Sequence, residues 1–320
     1  MNSRISLRVE IALAAVLVVV LALVFRAVWL PISWDLHLAA MEDRWGLSVT
    51  GVGRWFSAWT LGDGQAFAVI AADPLALDEV GQFGQPAYRF MRAGFGWLAW
   101  MGSLGREAWI PYGLALAGAL AVAANFGLAA WLRPRLGRSA WLLAFNPAVF
   151  IGFAGDTAEG LGVLFLSLAL VTGGRWASML LGLTRPSYLV ALAGRFRQMA
   201  WGLAATAVLL GYGLVRFGFD LTQFGGRMTF PFVGYVVDPA PMSILIAVLA
   251  LGTLIGGIRT RDLSWVISGL FVLSLSRNVV ADPVNAWRAA GMLPVLWAFG
   301  PGYEPTAATS GVGEPASALA

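Results

Sequence analysis

The segment Asp63-Gly64-Gln65-Ala66-Phe67 holds one carboxylate between Gly62 and Gly64, and Gln85-Pro86-Ala87-Tyr88-Arg89-Phe90-Met91-Arg92 follows with two guanidiniums. Flanking glycines let the backbone turn sharply and leave the carboxylate uncrowded. Such a group can serve as a general base, taking the proton of a neutral hydroxyl held within hydrogen-bond reach. An Asp-Gly pair taken alone also reads as a turn. Arg89 and Arg92 are three apart and would share one face of a helix. There they either clamp a phosphate or diphosphate or extend to lipid headgroups.

Two further constellations lie in apolar surroundings. Asp156 and Glu159 form the polar tip of an apolar hairpin, either as an N-cap with a first-turn acid or as part of a site on the same side as Asp63. Arg185, within Leu183-Thr184-Arg185-Pro186, stands in the middle of a hydrophobic segment. An arginine at such depth requires a polar cavity or an anionic partner and is a functional hypothesis by default; the candidates here are a lipid phosphate, Asp156 and Glu159. Asp220, Asp238 and Asp282, with Arg227, Arg277 and Arg288, are expected in later outer loops as solvated charges. Asp35 and His37, near Trp34, are expected to decorate the membrane interface.

Composition restricts the chemistry. Hydrophobic residues make up 59% of 320 and charged residues 12%, a balance that one soluble core could not hide. All 21 basic residues are arginine, there is a single histidine and no cysteine. Lysine Schiff bases, thiol catalysis, disulfides and a histidine zinc cluster are thereby excluded. The net charge of +4 reflects arginines at membrane faces, because no basic run alternates with aromatics in a soluble segment. No nucleic-acid partner is expected.

The elements that must position these groups are membrane helices. Runs long enough to cross about 30 Å of hydrocarbon occur at 9–30, 108–132, 199–217, 241–257 and 263–280, with shorter ones at 140–154, 157–173 and 287–300. This predicts an all-α polytopic domain over 1–300 with about eight or nine membrane segments. The first run reads as a retained span, since no small-x-small cleavage site follows it. Arg4 and Arg8 place the N-terminus inside, and Arg133-Pro134-Arg135-Leu136-Gly137-Arg138 is the strongest further inside signal. The loop 31–107 is then external, with apolar pieces near 66–72 and 93–104 too short to cross and expected to lie flat as interfacial helices. The stretch 176–194 is either one crossing or a re-entrant pair of half-helices broken at Pro186; the re-entrant form is the favoured expectation. It keeps Arg195, Arg197, Arg259 and Arg261 inside. Residues 301–320, rich in Ala, Gly, Ser, Thr and Pro, are expected to be a disordered cytoplasmic tail.

At these residues the chain resembles the GT-C superfamily of membrane glycosyltransferases, and in particular bacterial members linked to cell-surface glycopolymer formation. The resemblance rests on Asp63-Gly64-Gln65, Asp73-Pro74-Leu75 and Pro86-Ala87-Tyr88-Arg89 with Arg92, then on Asn146-Pro147, Asp156-x-x-Glu159 and Leu183-Thr184-Arg185-Pro186. It spans roughly residues 9–195. It departs at Ala68, where an aromatic is common, and at Phe95-Gly96, where a proline is usual. The resemblance implies a bacterial inner-membrane enzyme that moves a sugar from a polyprenyl-phosphate donor to an external glycan or lipid acceptor. In that reading Asp63 is the catalytic base, and Gln65, Tyr88, Arg89, Arg92, Asp156, Glu159 and Arg185 bind substrate, the arginines holding the lipid phosphate. No Asp-x-Asp cluster marks this loop, so the reading calls for no bound metal, although a divalent ion remains compatible with it. Two rivals stand beside it: a flippase of lipid-linked sugars, for which the broken segment would be the substrate site, and a non-catalytic subunit of a glycopolymer assembly complex.

Overall fold

The computed structural model describes residues 2–45, 63–75, 85–218, 231–237 and 241–304, with side chains for 7–28, 64–75, 85–218, 231–236 and 241–304. Among these residues the chain is all-helical. Four stretches are long and apolar enough to cross a membrane: Leu7–Val28, Glu107–Ala154, Phe196–Phe217 and Pro241–Thr260. The other apolar runs among the described residues form shorter helical pieces packed between these stretches.

Helix α1 (Asn2–Trp45) does not stop near residue 30 but continues for another four turns, so the following loop begins later than the apolar run alone implies. Then come α2 (Asp63–Ala72), α3 (Pro86–Phe90) and α4 (Gly94–Gly102), which pack as a block against α5 (Ile110–Leu136). In this block α2 is covered by protein on more than one side. Phe67, Ala68, Val69 and Ile70 are all buried, because two faces of α2 meet protein, whereas the end of α4 does expose Trp100 and Met101. Close approach of α4 to α5 depends on Gly113, where a β-carbon would stand 3.1 Å from the Ser103 nitrogen; small residues serve this purpose in membrane bundles.

Beyond α5 lie α6 (Trp141–Ala144), α7 (Pro147–Ala154) and α8 (Glu159–Thr172), and then α9 (Arg175–Thr184). Asn146 caps α7 by accepting from Ala148 N–H at 3.0 Å and donates to the Gly291 carbonyl at 2.7 Å, tying this hairpin to the C-terminal helices. Pro186 stops α9, and a 3-10 turn over Pro186–Leu192 follows before α10 (Phe196–Phe217). Alone, α9 is about 15 Å long at 1.5 Å per residue, half of a bilayer core. The chain folds back at the break: Ser178, Gly182 and Leu189 all meet Gly202 of α10. Arg195, at the far end of the stretch, donates to the Leu170 carbonyl at 2.8 Å, just before its near end. The segment therefore starts and finishes at the same end of the bundle.

The last helices are α11 (Val233–Val237), α12 (Pro241–Thr260), α13 (Leu263–Leu273), α14 (Arg277–Val280), α15 (Pro283–Ala290) and α16 (Met292–Phe299). The apolar run 263–280 is not one span, since its helix ends at Leu273 and Ser276 opens the next. Nor is 287–300 continuous, being divided at Gly291. Residues 301–304 are held to the bundle by Gly302 N–H donating to Asp262 Oδ2 at 2.8 Å; the rest of the expected tail lies outside the described residues.

Two ends of the bundle are now distinct. At one end Glu10 accepts from Arg133 Nε and Trp141 Nε1, each at 2.7 Å, and Ser139 donates to the Ala298 carbonyl. Next to these, Arg195 contacts Leu170 and Tyr303, and Gly194 contacts Ser264. The opposite end gathers α2, α3, the tip of the broken segment and the α7–α8 turn. Leu75→Cys, at an exposed position of the second end, and Thr260→Cys, exposed at the first, test the separation. A membrane-impermeant thiol reagent applied to intact cells, with any outer membrane permeabilised, should label only Leu75→Cys if the arginine-rich end faces the cytoplasm. Labelling of Thr260→Cys alone would invert the orientation.

Candidate functional site

The α7–α8 turn carries the deepest charges. Asp156, Thr157 and Glu159 are all buried, and Asp156 adopts a left-handed backbone with φ 51°. A non-glycine residue there is strained, and the strain is held by what its side chain reaches. Arg26 of α1 donates to Asp156 Oδ1 at 2.8 Å and to the Phe153 carbonyl at 2.6 Å. Burial pushes the Asp156 carboxyl up to about 6 while Arg26 pulls it back. Asp156 is therefore no helix cap; the residue preceding α8 is Ala158, which makes no side-chain cap.

Glu159 joins three elements. Its Oε1 lies 2.8 Å from Arg288 Nε of α15 and 3.3 Å from Arg185 Nη1 at the break after α9. Arg288 also places its carbonyl to accept from the Tyr188 hydroxyl at 2.8 Å and, more weakly, from Arg185 Nη2 at 3.3 Å. Room for this group comes from Gly162 of α8. A β-carbon there would stand 2.7 Å from Arg185 Cβ and 3.2 Å from Tyr188 Cδ2. Of the two guanidiniums, Arg288 is held tightly and Arg185 loosely. Arg185 Nε, enclosed, has no hydrogen-bond partner among the described residues.

The loop block reaches the same place. Gly94, two residues after Arg92, packs against the Leu183 carbonyl and Thr184 Cγ2, where a β-carbon would stand at 2.9 and 3.0 Å. Arg92 is buried, with its guanidinium 4.7 Å from the Tyr88 ring centre and 5.9 Å from that of Phe67. Stacking of this kind is a cation–π arrangement and differs from snorkelling to headgroups. Because α3 ends at Phe90, Arg92 stands in the turn beyond it rather than on the helix face expected for the pair; Arg89 and Tyr88 are half-buried. Gln65 is half-buried on α2. Asp63 begins α2 four residues before Phe67, while its side chain, like those of Asp35 and His37, lies outside the described ones.

The Asp73-Pro74-Leu75 motif is a connection point. Trp97 Nε1 donates to the Pro74 carbonyl at 2.9 Å and the Tyr212 hydroxyl to that of Leu75 at 2.7 Å. Asn125 of α5 likewise ties in the start of α8, donating to the Gly160 carbonyl at 2.8 Å.

Two members of the site lay beyond the sequence reading. Arg26 sits inside the first apolar run, and its position in that run was the available signal. Arg288 was expected to be solvated, but its side chain is only 8% exposed; α15 is a short helix that turns its arginine inward against Glu159. Comparison with family models, with curated proteins and with solved structures finds no match to this chain.

Proposed function

We propose that the protein is a membrane glycosyltransferase of GT-C type that moves a sugar from a polyprenyl-phosphate donor to an acceptor outside the cytoplasmic membrane. The observation that carries the reading is convergence: the Arg92 turn, the broken Thr-Arg-Pro segment and the Glu159 turn, widely separated in sequence, meet at one end of the bundle. Four buried or nearly buried guanidiniums gathered among apolar helices suit an anionic headgroup at membrane depth.

In this reading Asp63 accepts the proton of the acceptor hydroxyl as its oxygen bonds to the anomeric carbon. The bond from that carbon to the phosphate oxygen breaks, and its electron pair leaves with the polyprenyl phosphate. Arg185, Arg89 and Arg92 hold that phosphate as its charge develops, with Gln65 and Tyr88 beside it. Glu159 and Arg288 set the orientation of Arg185, and Asp156 with Arg26 anchors the turn that carries them.

Arg185→Lys keeps a charge and loses the planar fork. Donor affinity should fall about tenfold, the equivalent of one lost hydrogen bond to a charged group, while insertion is unchanged. Affinity equal to that of the wild type would make Arg185 a structural residue only. For the function itself, purified protein in proteoliposomes should transfer label from a polyprenyl-phosphate sugar to an acceptor and release polyprenyl phosphate. Label that crosses the bilayer still attached to its lipid would favour the flippase.

A further inference from the structure

A cavity of about 570 Å³ opens at the arginine-rich end, between the end of α8, the start of α10, the α12–α13 turn and residues 300–304. Leu170, Trp265, Leu296 and Phe299 supply apolar lining, and Arg195, Gln198, Arg261, Asp262 and Glu304 are among its polar groups.

Two features, the commitment of Asp262 and the setting of Arg195, point to an anion. Asp262 is already committed, its Oδ1 accepting from Ser264 and Trp265 N–H at 2.9 and 3.3 Å and its Oδ2 from Gly302 N–H. Arg195 is half-buried and donates to two neutral acceptors, the carbonyls of Leu170 and Tyr303. Burial pushes its pKa down, with the more distant Asp262, Tyr303 and Glu304 opposing, so a closer anion would stabilise the charge. Gln198 Oε1, enclosed in the wall, has no hydrogen-bond partner among the described residues and suits a hydroxyl.

Residues 300–304 form one wall of the cavity as a strap. Gly300 and Gly302 have φ 78° and 72°, conformations that only glycine adopts at no cost. Between them and the bundle stand few links: Gly302 to Asp262, the Tyr303 carbonyl to Arg195, and the Tyr303 ring against Phe299 at 4.8 Å. We propose that this cavity binds a phosphate group, with Arg195 and Arg261 as its cations and the 300–304 strap as its closure. The phosphate displaces the Tyr303 carbonyl from Arg195, and Glu304 leaves the cavity with the strap. Its source is either a lipid headgroup of the adjoining leaflet or a free phosphate. This site is independent of the glycosyl-transfer reading.

The test uses the protein and Arg261→Gln, chosen because that side chain is exposed, so its loss should leave the fold intact. Thermal unfolding is followed in neutral detergent with inorganic phosphate against chloride at equal ionic strength, and in phosphatidic acid against phosphatidylcholine vesicles. A rise of the midpoint with inorganic phosphate identifies a free phosphate; a rise confined to phosphatidic acid identifies a headgroup. In either case Arg261→Gln should weaken binding about tenfold, the equivalent of one charge-assisted contact. Arg138→Gln, an exposed arginine at the same end outside the cavity, should not. No phosphate-specific rise, a rise kept by Arg261→Gln, or one lost equally in Arg138→Gln overturns the proposal.

Discussion

Replacing Asp63 by asparagine should lower the proposed sugar transfer by a factor of about 10² or more, the range supplied by a positioned general base. The substitution keeps the shape of the side chain and removes its charge at the first residue of α2, so folding and insertion should be unaffected. Rates are compared in proteoliposomes at saturating donor and acceptor, where a base acts on kcat and leaves donor affinity unchanged. Transfer at the wild-type rate would remove Asp63 from the chemistry. A flippase would tolerate the change in a lipid-scrambling assay.

The second large effect is on stability. Glu159→Gln leaves Arg185 and Arg288 facing each other around a neutral amide, with side chains only 10% and 8% exposed. Removing one partner of a buried ion pair costs about 3–5 kcal/mol, because the remaining charge is left uncompensated. The unfolding free energy in detergent should fall by that amount. Arg288→Met should partly restore the Glu159→Gln variant, since it removes one of the stranded charges, and the two effects should be strongly non-additive. A loss below about 1 kcal/mol, in the range of exposed pairs, would mean that water or headgroups already solvate the cluster.

Much of the architecture was legible because hydropathy and arginine placement respond to the same membrane. The long helices fall where apolar runs reach bilayer length, and the fold-back at Arg185-Pro186 follows from the proline and the charge beside it. Of the three partners considered for Arg185, a lipid phosphate, Asp156 and Glu159, the structure pairs it with Glu159. Arg26 and Arg288 were missed for a common reason. Each is one charge averaged into an apolar stretch, and its partner lies about 130 residues away, a distance that periodicity does not encode. The burial of α2 was missed because a short apolar helix reads alike whether lipid or protein covers it. The single helix expected over 263–280 ends at Leu273, because the apolar average of the run hides the polar break at Ser274, Ser276, Arg277 and Asn278.

The central claim is that a polyprenyl phosphate is held where the Arg92 turn meets the broken segment. An experimental structure with polyprenyl phosphate bound tests it most directly. The account predicts the phosphate within hydrogen-bond distance of Arg185, with Arg89 or Arg92 on its other side, the Asp63 carboxylate facing the same space, and Glu159 retained by Arg288. A lipid phosphate seated away from Arg185, with the Arg185 to Glu159 contact undisturbed, would contradict it.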